Sequence, residues 1–266
     1  MNNNELLVAR RQSAVARAVS MAHPVFIERA ENALLWDADG RRYIDFAGGI
    51  AVLNTGHRHP RVLEAVRAQL ERVTHTCFQV TGYEPYVALC ERLNRLAPGP
   101  GPNKTLLMTT GAEAIENAVK IARVSTGRSA VISFAGGFHG RTLMALALTG
   151  KVEPYKAGFG PYPAEVYHAP FPNALHDVST ADALDALAAI FKCDVAPDRV
   201  AAIVFEPVQG EGGFYVAPQD FVLRLRELCD RHGILLVADE IQSGAGRTGR
   251  MFAMEHYPVE ADLITV

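Results

Sequence analysis

Apolar and polar positions change their rhythm along this chain of 266 residues. In the first hundred residues, Arg41 to Phe46 reads as a short strand after the Asp39-Gly40 turn. His59 to Glu71 and Tyr86 to Leu96 read as helices. The stretch APGPGPNK, from Ala97 to Lys104, then breaks the pattern with proline and glycine. Beyond it the two periods alternate. Thr105–Met108, Ala130–Phe134, Ala201–Phe205 and Ile234–Ala238 are short apolar runs of the kind that form buried parallel strands. Between them lie helical stretches. In Ala112–Val124, Ile115, Ala118, Val119 and Ala122 keep the i, i+3, i+4, i+7 spacing of one helix face. Ala181–Phe191 and Asp220–His232 read as helices too, the latter closed by Gly233. Strands alternating with helices predict an α/β fold with a mostly parallel sheet flanked by helices.

In such folds ligands sit beyond the carboxyl ends of the strands. The four expected strands are followed by TTGAEA, AGGFHGRT, EPVQGEGG and DEIQSG, all rich in glycine and polar residues. Four such tails at one sheet edge would make a site. The last is the sharpest, because the apolar run ILLVA stops at two carboxylates, Asp239 and Glu240. A buried carboxylate is costly without a partner.

Composition narrows the class. Hydrophobic residues make up 49% and charged residues 21%, with a formal net charge of −3. That is the balance of a soluble globular protein without a basic stripe, so nucleic acid is not an expected partner. No apolar run reaches the roughly 18 residues of a membrane span. The opening residues have no continuous apolar core, so no secretory signal is expected. Arg10, Arg11 and Arg17 leave a transit peptide open beside an ordinary first helix. Four cysteines without paired spacing fit reduced thiols in a cytoplasm.

Each tail admits a chemical and a plain reading. Gly111 lets backbone approach a ligand, and the helix start after Thr110 offers free N–H groups to a phosphate. Thr110 is equally an ordinary N-cap, with Glu113 favouring the helix dipole. Phe138 could stack on a ring and Arg141 could grip a carboxylate, or they are a core aromatic and a surface cation. Glu206 and Glu211 could act as acid and base, or serve as counter-charges for arginines. Asp239 could hold a proton on a heteroaromatic nitrogen, with Gln242 donating to a ring oxygen. GAGRTG (Gly244–Gly249) matches a dinucleotide-binding glycine pattern but does not directly follow a strand or open a helix. His57-Arg58-His59 resembles a metal pair but is broken by Pro60.

The strings FAGGIAVLNTGHRHP, HTCFQV, TTGAEAIENAVKIAR, EPVQGEGGFY and ADEIQSGAGRTGRMFAME resemble class III aminotransferases, the fold-type I enzymes that use pyridoxal 5'-phosphate. Within that class they are most similar to the bacterial enzymes acting on 4-aminobutyrate. The resemblance covers essentially the whole chain. It implies a large cofactor-binding domain over residues 56–266 and an N-terminal segment, 1–55, belonging to a small domain. It implies cofactor contacts from Gly111, Ala112, Phe138, His139, Asp239, Ile241 and Gln242. Asp239 would pair with the pyridinium nitrogen, and Phe138 and Ile241 would sandwich the ring. Arg141 would bind the distal carboxylate of the substrate, Ile50 would line its pocket and Glu206 would support it. Glu211 would pair with a later arginine and release it when a dicarboxylate arrives. Ala112 and Phe138 stand where many relatives have Ser and Tyr, so two hydroxyls are missing. The family's Schiff-base lysine is expected about two positions beyond Val266, and none of the five lysines here matches it. The chain is therefore expected to be the front part of a longer homodimeric enzyme and inactive alone. The complete enzyme is expected to move the amino group of 4-aminobutyrate to 2-oxoglutarate. Other readings are an enzyme for 5-aminovalerate, ornithine or acetylornithine, a non-catalytic cofactor-binding or interaction protein, and a nicotinamide oxidoreductase using GAGRTG.

Overall fold

The computed structural model describes residues 2–266. The chain forms two compact units, divided between Tyr83 and Glu84. The first begins with helix α1 (Asn3–Ala14), started by a reciprocal cap between Asn2 and Glu5. A three-stranded antiparallel sheet follows, β1 (Ile27–Glu31), β2 (Leu34–Asp37) and β3 (Arg42–Ile44), in the order β1-β2-β3. The Asp39-Gly40 turn joins the last two strands, as its sequence implies. A tight turn, α2 (Gly48–Ala51), and helix α3 (Pro60–Leu70) complete this unit. His57 is held by Asp45, with Nε2 2.7 Å from Oδ2.

The second unit opens with α4 (Glu84–Leu96) and α5 (Gly111–Thr126). Then come β4 (Ala130–Phe134), α6 (Leu143–Leu148), β5 (Val166–Ala169), α7 (Thr180–Cys193) and β6 (Val200–Phe205). A small ribbon of β7 (Val208–Gln209) and β8 (Tyr215–Val216) brackets the turn α8 (Gly210–Gly213). Helix α9 (Gln219–His232), β9 (Leu235–Asp239) and β10 (Leu263–Thr265) end it. Five strands pair in parallel in the order β10-β9-β6-β4-β5. The alternation of side chains along each strand feeds two cores. Ile132, Phe134, Ile203, Phe205 and Leu236 pack with α7 and α9. Val131, Ala202, Val204 and Val237 pack with α5 and α6 on the other face. This is the expected α/β fold, with a central parallel sheet covered on both sides.

Thr105–Met108 departs from expectation. It has no regular secondary structure and belongs to no ladder. Its polar groups turn to side chains instead: Thr105 Oγ1 donates to Asn94 Oδ1 at 2.7 Å, and the Leu107 N–H reaches the Tyr86 hydroxyl at 3.4 Å. A groove of about 710 Å³ lies between this segment and edge strand β10. An apolar run becomes a strand only where a neighbouring backbone offers its hydrogen-bonding edge.

Candidate active site

Beyond the carboxyl ends of the parallel strands lies a cavity of about 470 Å³. Its walls include Thr110, Gly111, Ala112, Phe138, His139, Arg141, Thr142, Glu206, Asp239, Ile241 and Gln242. All four glycine-rich tails read from the sequence therefore meet in one place. The sheet brings three of them there, because β4, β6 and β9 deliver their carboxyl ends to the same edge, and the start of α5 brings the fourth.

The α5 tail contributes a helix start. Thr110 Oγ1 accepts the Glu113 N–H at 3.1 Å, and Glu113 Oε2 accepts the N–H groups of Thr110 and Thr109. This capping box fixes the first turn. It leaves the Gly111 and Ala112 N–H groups without a partner among the described residues, at the positive end of a 16-residue helix. Gly111 has no room for a side chain, since an added Cβ would stand 2.8 Å from Ile241 Cγ2. Both readings of Thr110 are thus compatible: it caps the helix and lines the cavity.

The β9 tail supplies the carboxylate. Asp239 is only 4% exposed. His139 Nδ1 lies 2.7 Å from its Oδ2, while Oδ1 accepts the Thr265 hydroxyl at 2.9 Å and the Ile241 N–H at 3.2 Å. Its neighbour Glu240, completely buried, does something else: its oxygens accept the Ala253 and Met254 N–H groups and cap the turn that follows. One carboxylate faces the cavity and the other holds a loop.

His139 is buried, which by itself pulls its pKa down. The hydrogen bond to Asp239 and the charges of Asp239 and Glu206 outweigh this and raise it above the usual imidazole value. Its Nε2 has no hydrogen-bond partner among the described residues. Glu206 accepts the N–H of Phe138 at 2.9 Å and that of Gly210 at 3.2 Å. Burial nevertheless pushes Glu206 up to about 7, despite the nearby His139 charge.

Glu211 does not line the cavity. Its Oε2 accepts the Tyr155 hydroxyl at 2.6 Å, which with burial pushes that phenol up to about 12. The Tyr155 and Phe138 rings are 4.8 Å apart. Ile50 belongs to the first unit and is 92% exposed. Thr142, Tyr155 and Thr265 were not singled out in the sequence. Thr142 at least sits in the FHGRT tail; ADLITV carries no glycine or charge pattern to flag Thr265. No lysine lines the cavity among the described residues. GAGRTG lies in turns and opens no α-helix; a single short 3-10 turn, Ala253–His256, comes later.

A profile described as aminotransferase class-III matches residues 14–266. Among curated relatives, 4-aminobutyrate aminotransferase GabT of Escherichia coli (strain K12) is 59% identical over 265 residues. The match covers 100% of this chain and 62% of that protein. The 5-aminovalerate aminotransferase DavT of Pseudomonas putida is also 59% identical, over 98% of this chain and 62% of its own length. The chain thus spans about three fifths of these relatives. Among solved structures, taurine:2-oxoglutarate aminotransferase from Bifidobacterium kashiwanohense, in complex with PLP and glutamate, superposes with a TM-score of 0.90 at 29% identity. The superposition covers 99% of this chain and 61% of that one. With sheet, cavity and sequence in agreement, the chain belongs to the class III aminotransferases.

Proposed function

We propose that the complete protein transfers the amino group of 4-aminobutyrate to 2-oxoglutarate, giving succinate semialdehyde and glutamate, with pyridoxal 5'-phosphate held in the cavity described above. The observation that carries this reading is the convergence, in one cavity, of two free helix-start N–H groups, apolar walls, a buried carboxylate and an arginine. The donor set suits this cofactor. The Gly111 and Ala112 N–H groups would take the phosphate. Phe138 and Ile241 would lie against the ring, and Gln242 would meet its oxygen. Asp239 would accept the ring N–H, and His139 would hold Asp239 from behind.

When bound, the cofactor supplies an electron sink at the amino-bearing carbon. The chain's own residues bind and orient. Arg141 would grip the distal carboxylate of the donor with parallel hydrogen bonds. Ile50 would line the donor's pocket, and Glu206 would brace it through its two backbone contacts. Glu211 would serve as the counter-charge that a dicarboxylate displaces from an arginine. Ala112 and Phe138 offer no hydroxyl, so phosphate and ring would be held by N–H groups and stacking alone at these positions. The complete protein would act as a homodimer in the cytoplasm. No helix among the described residues is long and apolar enough to cross a membrane.

A second donor is supported by one observation: the 5-aminovalerate enzyme is as similar as the 4-aminobutyrate enzyme. Measuring kcat/KM of the complete protein for 4-aminobutyrate, 5-aminovalerate and ornithine, each with 2-oxoglutarate, decides. A preference for 4-aminobutyrate of tenfold or more supports the first reading. An equal or reversed preference replaces it.

A further inference from the structure

We propose that Thr265 is a positioning residue that fixes the orientation of the Asp239 carboxylate at the cavity. The inference rests on the reading of Asp239 as the partner of a ring nitrogen. Thr265 lies on edge strand β10, in parallel register with Asp239 on β9. It is 6% exposed, and its carbonyl accepts the Glu240 N–H at 2.7 Å, which locks the two strand ends together. The residues before it on the strand, Leu263 and Ile264, are apolar.

A buried hydroxyl among apolar neighbours is unfavourable unless it is hydrogen-bonded, and a valine of the same shape would fill the position without that requirement. Among the described residues the hydroxyl's one partner is Asp239 Oδ1, at 2.9 Å. The terminal torsion of an aspartate is soft. His139 pins one oxygen at 2.7 Å. Without Thr265 the other would keep only the Ile241 N–H, two residues along the same chain and at the longer distance of 3.2 Å. The carboxylate could then pivot about its His139 contact. With Thr265 present, donors from three separate segments hold it, and the lone pair turned to the cavity is set in direction. A ring N–H gains a full hydrogen bond only near alignment, so this direction bears on both affinity and ring tilt.

The test uses the complete protein with Thr265→Val, which removes the hydroxyl at constant shape, and Thr265→Ser, which keeps it. Equilibrium dialysis with pyridoxal phosphate gives the dissociation constant. Visible circular dichroism per bound cofactor reports how the ring is held. We expect Thr265→Val to weaken binding about tenfold, the effect of losing one hydrogen bond to a charged group, and to lower the visible ellipticity. Thr265→Ser should stay within about twofold of the parent in both. If Thr265→Val does not fold, Thr265→Ala against Thr265→Ser makes the same comparison. Unchanged ellipticity and affinity in the hydroxyl-free variant, or an equal loss in Thr265→Ser, overturns the inference. A parent protein that binds no pyridoxal phosphate overturns the functional reading as well, and is told apart by that first measurement.

Discussion

Asp239 and Glu240 stand side by side, both buried, yet only the first reaches the cavity. Asp239 is the last residue of β9 and Glu240 the first beyond it, so one carboxylate faces the cavity while the next turns to the Ala253 and Met254 N–H groups. Glu206 is a further buried carboxylate of the second unit, and its protonation has a readable consequence. Its folded pKa of about 7 lies above the ordinary 4.5. Between those values the folded state binds more protons than the unfolded state. Stability from this group is therefore lost as pH rises from about 4.5 to about 7, then levels off. Glu206→Gln cannot titrate. Its unfolding free energy relative to the parent should rise by about 1–3 kcal/mol from pH 4.5 to pH 8, measured by urea denaturation at each pH. A pH-independent difference would contradict the burial argument. Gly210 offers a second residue-scale test. A Cβ there would stand 2.0 Å from Gln242 Oε1. The side chain can move where backbone cannot, so Gly210→Ala should displace Gln242 from the cavity wall. It should weaken pyridoxal phosphate binding about as much as Gln242→Ala does. Additive losses in the double variant would show that the two act independently.

Helix α5 joins stability to the site within one element. Its N-cap Thr110 both closes the capping box with Glu113 and lines the cavity. Thr110→Ala should cost about 1 kcal/mol of folding stability and weaken cofactor binding, because the first turn that presents the Gly111 and Ala112 N–H groups would fray. Calorimetry and a cofactor titration check the two effects, and affinity unchanged beside a lowered Tm would separate the cap from the anion cradle. Elements like this one were legible in the sequence because local chemistry specifies them. The Ile115, Ala118, Val119, Ala122 face of α5 is fully embedded in the core, and Gly233 closes α9 in a left-handed conformation. Strands β4, β6 and β9 were likewise legible, since both faces are covered and their runs are apolar but for Ser133 and the terminal Asp239. Strands β5 and β10 were not singled out; VYHA and LIT are short, and what makes them strands is the ladder beside them. Thr105–Met108 fails in the opposite sense, an apolar run without a ladder. In the site, Asp239 was legible from the abrupt end of an apolar run. His139 as its partner was not, because the 2.7 Å contact joins residues a hundred positions apart. The Schiff-base lysine and the arginine partner of Glu211 had their support in family likeness, whereas Arg141 was open from its own chemistry as a carboxylate grip.

On the scale of the whole molecule, no lysine lines the cavity among the described residues. Lys104, Lys120, Lys151, Lys156 and Lys192 all stand outside its lining. Lys156, the lysine whose pKa burial depresses, spends its ammonium on the Ala147 and Thr149 carbonyls. A lysine amine must be free and directed at the ligand to act as nucleophile and proton carrier. The binding groups, by contrast, come from elements whose packing is internal to residues 84–266: α5, and the ends of β4, β6 and β9. The 266-residue chain should therefore bind pyridoxal phosphate reversibly and transfer no amino group. Dialysis should remove the cofactor completely. Borohydride reduction followed by peptide mapping should label no lysine stoichiometrically, and fresh cofactor with 4-aminobutyrate and 2-oxoglutarate should yield no glutamate above background. Stoichiometric labelling of one of the five lysines would mean that a side chain reaches the cavity by a rearrangement absent here. The separation of binding walls from catalytic amine would then fail. Loss of reversible binding in Asp239→Asn, beside an unlabelled parent, would show instead that the walls work as a cofactor site on their own.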